Sequence, residues 1–338
     1  MNRAPLKRQA GIVLILTMWT IVLLSMLVLT LAAEARLSAA LSRAQSDRTA
    51  DWSDTLTALN AAEMELLLEA MPPPVEDTDT EDDDDEKNPD FRFNGQPLEL
   101  AYDYPDTVEV RIYDHAGKIN LRNLTEDSLQ PLLEKQMGEE VDDDEMALLL
   151  AAWGDWLDED DGVRNDGAED EYYLSLDPPY LPRQGPLESV DEILLIRGFD
   201  RYFGDVNLSA AFTLYSESTT VNLNTATREA LALLPGLDDA AIDAILAYRQ
   251  EQDFTELADL DDIVSDDDLA DLQSWVDFTT VSPVYTIVVL PRHLLADADE
   301  AREQPVFGGF SAIVRVNDYT ERPFTLRIDP IARLPLLD

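Results

Sequence analysis

The sequence predicts an α+β protein: a long N-terminal helix and an antiparallel sheet, the sheet interrupted by a large α-helical insertion. Three observations lead there. An uncharged apolar run from Ile12 to Ala33 continues without Gly or Pro to Ala70. Alternating apolar segments suited to strands occur at 107–121 and again at 284–290, 310–316 and 324–328. Between them, two stretches of strand-then-helix character repeat one another at an offset of 102 residues.

The first element is a membrane helix. About 22 apolar residues at ~1.5 Å per residue cover ~33 Å, enough to cross a hydrocarbon core. Arg3, Lys7 and Arg8 precede the run, which places the N-terminus in the cytoplasm and the remainder outside. A cleavable secretory signal has its small-residue break after a shorter apolar core; here the break, Ala10–Gly11, comes before it. Beyond the span, Leu37, Leu41, Trp52, Leu56, Leu59 and Met64 fall near helical spacing in an Ala/Leu/Glu/Arg-rich stretch, which predicts one helix over 12–70. Pro72, Pro73 and Pro74 end it by removing donors and clashing with the preceding turn.

Residues 71–97 read as an acidic linker, because 75–90 (VEDTDTEDDDDEKNPD) hold too little apolar surface to offset chain entropy. The sheet domain is expected from 98–121 and 281–338. Val108, Val110 and Ile112 alternate before Asp114–Gly117, and Ile119 and Leu121 follow, a hairpin pattern. His115 falls in that turn and His293 in a loop, both expected at the surface.

The insertion, 122–280, is helical and repeated. Ile119-Asn120-Leu121 followed by Thr125, Leu129 and Leu132 aligns with Val221-Asn222-Leu223 followed by Thr227, Leu231 and Leu234. Leu187, Val190 and Ile193 then match Phe254, Leu257 and Leu260, with Ser189 and Glu192 forming a capping box. The first copy carries an extra segment, roughly 158–185.

Composition narrows the function. The chain has 70 Asp+Glu against 24 Lys+Arg, a formal charge of −46, no cysteine and two histidines. Thiolate metal sites, disulfides and thiol nucleophiles are excluded, and the summed field repels a polyanion. With about one residue in five acidic, paired carboxylates at a given spacing carry no information about acid–base catalysis. No G-x-S-x-G, H-E-x-x-H or Gly-rich phosphate loop is present, so no enzyme is predicted.

The candidate site is the extra segment. Asp158, Asp160, Asp161, Asp166, Glu169 and Asp170 crowd a loop with Gly162 and Gly167, a supply of hard oxygen ligands suited to calcium. An EF-hand loop starting at Asp158 would need glycine where Val163 stands. Six carboxylates in an ordered loop repel one another unless a cation neutralises them, and Tyr172, Tyr173, Leu174, Leu176 and Tyr180 predict that the loop packs on a core.

Two motifs carry resemblances. Leu234-Pro235-Gly236-Leu237 resembles a helix-hairpin-helix motif, whose amides hold a DNA phosphate; Asp238 and Asp239 follow where glycine is expected. A carboxylate there caps the next helix and repels phosphate, so the insertion is expected to hold helix-hairpin-helix-like repeats without nucleic acid. The alternative function is a membrane-anchored helix-hairpin-helix binding module for DNA uptake. The short basic leader (1–11) ending in Gly11 before a retained apolar helix resembles that of type IV pilins and type II secretion pseudopilins.

That resemblance implies a pilin-like helix and sheet, and cleavage by the prepilin peptidase between Gly11 and Ile12. Leu16 stands where most members have glutamate at the fifth mature position. A subunit lacking that buried carboxylate fits the end of a filament, since the charge is costly in lipid unless paired. With Asn165-Asp-Gly-Ala-Glu-Asp-Glu-Tyr-Tyr-Leu-Ser-Leu-Asp-Pro-Pro-Tyr180, the chain is similar to the minor pseudopilin K family of type II secretion. The resemblance implies a calcium-binding helical insertion, minor pseudopilins I and J and possibly H as partners, and a place at the pseudopilus tip. It also implies a single pass through the inner membrane, with the C-terminal domain in the periplasm.

Overall fold

The computed structural model describes residues 10–71, 93–138, 141–296 and 309–330. The chain divides into two compact units, one up to Asp54 and the other from Thr55. Helix α1 (Ala10–Glu69) is a single element of 60 residues. Its part from Val13 is long and apolar enough to cross a membrane, and none of that apolar window is buried.

In the second unit α1 presents Ala58, Ala62 and Leu66, one face at four-residue spacing, and all three are buried. Small alanines let the helix axis approach the sheet closely. Thr55 and Leu67 join that face, whereas Met64, one of the residues at helical spacing, is exposed, as are Leu37 and Leu41 in the first unit. Periodicity located a helix but not the stripe that packs.

Strands β1 (Asn94–Pro97) and β2 (Val108–Asp114) precede the insertion. The insertion starts before the expected boundary at 122, since the strand at 119–120 pairs within it; among the described residues it holds four two-residue strands: β3 (Ile119–Asn120), β4 (Phe212–Thr213), β5 (Val221–Asn222) and β6 (Val276–Asp277). After it come β7 (Val284–Pro291), β8 (Phe310–Arg315) and β9 (Phe324–Pro330). The main sheet has the order β1-β2-β7-β8-β9, antiparallel throughout. Val110 lies opposite Val289 and Ile112 opposite Ile287; these four pack with Ala312, Val314 and the alanine face of α1. Strand β1 falls within the stretch read as linker, whose residues 72–92 lie outside the described ones.

The expected hairpin at 107–121 does not form. Strand β2 pairs with β1 and β7, and β3 pairs in parallel with β4 instead. The cause is local. The Asp114 carboxylate accepts from the Ala116 amide at 2.8 Å, bending the chain into a 3-10 turn at His115–Gly117. The Gly117 carbonyl then accepts from the Thr227 amide, and a Cβ at Gly117 would lie 2.2 Å from the Thr225 carbonyl oxygen. Asp114 also accepts from the Ser282 amide at 3.2 Å, joining the entry of the insertion to its exit.

His115 is correspondingly buried rather than at the surface. Its Nδ1 lies 2.6 Å from Thr213 Oγ1 and its Nε2 2.7 Å from Thr286 Oγ1, so it bridges insertion and sheet. Burial holds its pKa well below the usual imidazole value. His293 is exposed, in the short helix α10 (Arg292–Ala296) rather than a loop.

The insertion's helices are α2 (Glu126–Met137), α3 (Asp143–Leu157), α4 (Asp170–Leu174), α5 (Asp200–Phe203), α6 (Leu208–Ala211), α7 (Arg228–Leu233), α8 (Asp239–Glu251) and α9 (Asp266–Leu272). The repeat is physical. Thr125 caps α2 and Thr227 caps α7. Asn120 accepts from the Arg122 amide and donates to the Ser216 carbonyl. Asn222 does the same with the Asn224 amide and the Thr280 carbonyl. Strands β3 and β4 pair in parallel, as do β5 and β6. Both copies contribute to one core containing Leu129, Trp153, Phe199, Phe203, Leu231 and Ile245.

Candidate functional site

The extra segment leaves the repeat at the end of α3. That helix starts on Asp142, whose carboxylate accepts from the Asp144 and Glu145 amides, and buries Leu149, Trp153 and Trp156. Trp156 meets Tyr173 edge-on at 5.2 Å, and Tyr180 lies 5.3 Å from Tyr173. Tyr173 is fully buried, with Tyr172 and Tyr180 partly so, while Leu174 is exposed. The loop is thus seated on the core, as its aromatic company predicts.

The six sequence-predicted carboxylates do not converge. Asp160 is exposed and accepts from the Gly162 amide at 2.8 Å. Asp166 is exposed at φ 65° and accepts from Asn165, and Asp161 accepts from Gln184 at 2.8 Å. Asp160 satisfies the backbone of its own turn, and side-chain amides take Asp161 and Asp166, so these three are engaged at the surface. Asp170 occupies the first turn of α4, favoured there by the helix dipole. Asp158 and Glu169 are brought together, and with them Asp155.

Asp155, on α3, is missed by the loop-based reading because its helical context looks structural. It has no exposed surface and accepts from the Ala168 amide at 2.8 Å and the Arg164 amide at 3.3 Å. A Cβ on Gly167 would lie 2.0 Å from its Oδ2, so only glycine fits there. Glu169 is 3% exposed. Both its carboxylate oxygens are buried without a partner, and so is Asp158 Oδ1. Burial first, then the charges of Asp155, Asp158, Asp170 and Asp161, push the Glu169 pKa up to about 7.

Arg164 lies against this group. It is ion-paired to Glu126, and reaches Asp155 Oδ1 and Asp158 Oδ2 at 3.4 Å each. Among the described residues no three carboxylates or histidines are placed so that together they could hold a metal ion. The donors nevertheless suit a hard cation, because unpartnered buried carboxylate oxygens are costly and a divalent ion would satisfy them.

At the other candidate, Gly236 adopts φ 75° with Asp268 O 2.2 Å from a notional Cβ. Asp238 caps α8 through the Ala241 amide at 2.8 Å, so a carboxylate occupies the position a phosphate would take. The backbone of Gly11 and Ile12 lies in the first turn of α1, while the leader before Ala10 lies outside the described residues.

A long helix packed on an antiparallel sheet, with a helical domain inserted between neighbouring strands β2 and β7, defines a pilin-like protein. The fold matches a chain of the crystal structure of the GspK-GspI-GspJ complex from the enterotoxigenic Escherichia coli type 2 secretion system. The TM-score is 0.51 at 14% identity, covering 86% of this chain and 98% of that one. Residues 117–203 match the family model of type II secretion system (T2SS), protein K, and residues 216–265 that of the helix-hairpin-helix motif. Over these stretches the chain is similar to curated proteins named type II secretion system protein K. The Klebsiella pneumoniae protein is 29% identical over 155 residues, 46% of this chain and 40% of that protein. The Aeromonas hydrophila protein is 36% identical over 125 residues, 35% and 37% of the two chains. The matched regions span about two fifths of these curated relatives.

Proposed function

We propose that the protein is a minor pseudopilin at the tip of a type II secretion pseudopilus, initiating or capping assembly for export of folded periplasmic proteins. One observation carries this: the segment that matches the protein K family model, residues 117–203, begins an insertion set between two neighbouring strands of a pilin-like sheet, on a chain whose described residues include a long apolar N-terminal helix. A bulky insertion in a subunit whose neighbours stack by their long helices leaves no room for a further subunit above it. The role is structural rather than enzymatic.

The peptidase would cut after Gly11 and leave Ile12 as the mature end. The apolar helix would sit in the inner membrane with the folded part in the periplasm, the three leader cations remaining on the cytoplasmic side. Minor pseudopilins I and J, with H as a further partner, would pack along the exposed Leu37 and Leu41 face of α1. DNA uptake is not favoured, since Asp238 caps α8 and the net charge is −46.

Calcium would serve as a structural ion drawn to the unpartnered oxygens of Asp158 and Glu169, beside Asp155. When bound, it supplies the positive charge that ties the loop to α3. Purification from a membrane extract should recover other pseudopilins; homo-oligomers alone would refute the tip assignment. Calcium should raise the melting temperature by linkage, and Asp158→Ala with Glu169→Ala should abolish the rise.

A further inference from the structure

We propose that Arg164 is the resident counter-ion of this acidic pocket, competing with the divalent cation for Asp155 and Asp158 and so setting how tightly the pocket takes it. The inference rests on the cation reading given above.

The guanidinium joins carboxylates from three places: Glu126 in the first turn of α2, Asp155 within α3, and Asp158 at the end of α3. Its seat is built for it. Gly154 is buried on α3, and a Cβ there would lie 1.8 Å from Arg164 Nη1 and 2.2 Å from its Cζ. Any other residue at 154 would push the guanidinium off the helix. Glycine costs about 1 kcal/mol relative to alanine inside a helix, so the position gives up helix stability where the arginine lies.

The carboxylates are divided. Asp155 Oδ1 and Asp158 Oδ2 face the guanidinium at 3.4 Å, whereas Asp158 Oδ1 and both oxygens of Glu169 have no partner. Asp158 therefore turns one oxygen to an internal cation and buries the other without a partner. A divalent ion bound to Asp158 and Glu169 would sit near a fixed positive charge and draw on the same two aspartates, which lowers its affinity. With the ion bound, the guanidinium keeps Glu126, outside the contested pair. Without it, Arg164 fastens α2, α3 and the loop together.

The test is calcium titration of the full chain in detergent, by calorimetry and thermal melting, with wild type, Arg164→Gln, Gly154→Ala and Glu169→Gln. Arg164→Gln should bind calcium about ten-fold or more tightly, melt lower than wild type without calcium, and match it when saturated. Gly154→Ala keeps the charge, improves helix propensity and displaces the guanidinium; it should also bind more tightly and carries the test if Arg164→Gln does not fold. Glu169→Gln should lose binding. Calcium binding by wild type with equal or weaker binding by both Arg164→Gln and Gly154→Ala overturns the competition and leaves the site standing. No binding by wild type or either variant overturns both.

Discussion

Asn120 and Asn222 are the positions at which the internal repeat can be tested by energy. Both are buried, and each closes a turn after a two-residue strand while anchoring a distant segment. Asn120 accepts from the Arg122 amide at 3.1 Å and donates to Ser216 O at 2.6 Å. Asn222 accepts from the Asn224 amide at 2.9 Å and donates to Thr280 O at 2.7 Å. Replacing either with alanine removes two hydrogen bonds worth about 1 kcal/mol each, with a third and longer one from Asn120 to Ser218 O at 3.3 Å, and leaves a carbonyl and an amide short of partners at a further cost of about 1–2 kcal/mol. Each substitution should therefore destabilise by about 3–4 kcal/mol, and by similar amounts, read as a fall in the urea midpoint at unchanged slope. A cost below about 1 kcal/mol at either position, or a difference above about 2 kcal/mol between them, would refute the structural equivalence of the two copies.

Gly11→Leu should block processing, seen by mass spectrometry as a retained leader; trimming at the wild-type position would count against the peptidase assignment. Gly236→Ala forces a Cβ to 2.2 Å from Asp268 O at positive φ and should cost more than about 2 kcal/mol in urea unfolding. His115 has a lowered pKa in the fold. As pH falls below about 6.5 the unfolded chain takes up the proton first, so this residue's contribution to stability is lost on acidification. Asp114 opposes it, its pKa being raised to about 7 mainly by burial; from about 7 down to its ordinary value near 3.8 it favours the fold. The difference in melting temperature between wild type and His115→Gln, followed from pH 8 to 5, isolates the histidine and should shift against wild type on the acid side.

The long apolar N-terminal helix, the three C-terminal strands and the repeat were legible because each rests on spacing along one segment. What pairs with what was not. The alternation after Gly117 looked like the return strand of a hairpin, yet Ile119 and Asn120 join Phe212 and Thr213, far along the chain. His115 looked like a turn residue because its two hydroxyl partners, Thr213 and Thr286, are equally remote. The acidic loop was found, but not which carboxylates act together. Asp160 and Asp166 bond within their own turns, and Asp155 belongs to a helix whose pattern reads as core. A signal was present in Gly154 and Gly167, glycines on either side of the acidic stretch, each leaving room for a polar side chain.

The double acceptance at Asp114, from Ala116 and from Ser282, bears on how the chain assembles. Strands β2 and β7 are separated by about 170 residues, and closing so long a loop from a random coil costs on the order of 4–5 kcal/mol beyond a constant. If the intervening domain collapses first, its neck is already pinched shut, and the two strands meet with that entropy spent. The sheet then forms late and as a neighbourly event, so a truncation inside the domain would be expected to cost the strands their encounter even though it deletes none of their residues.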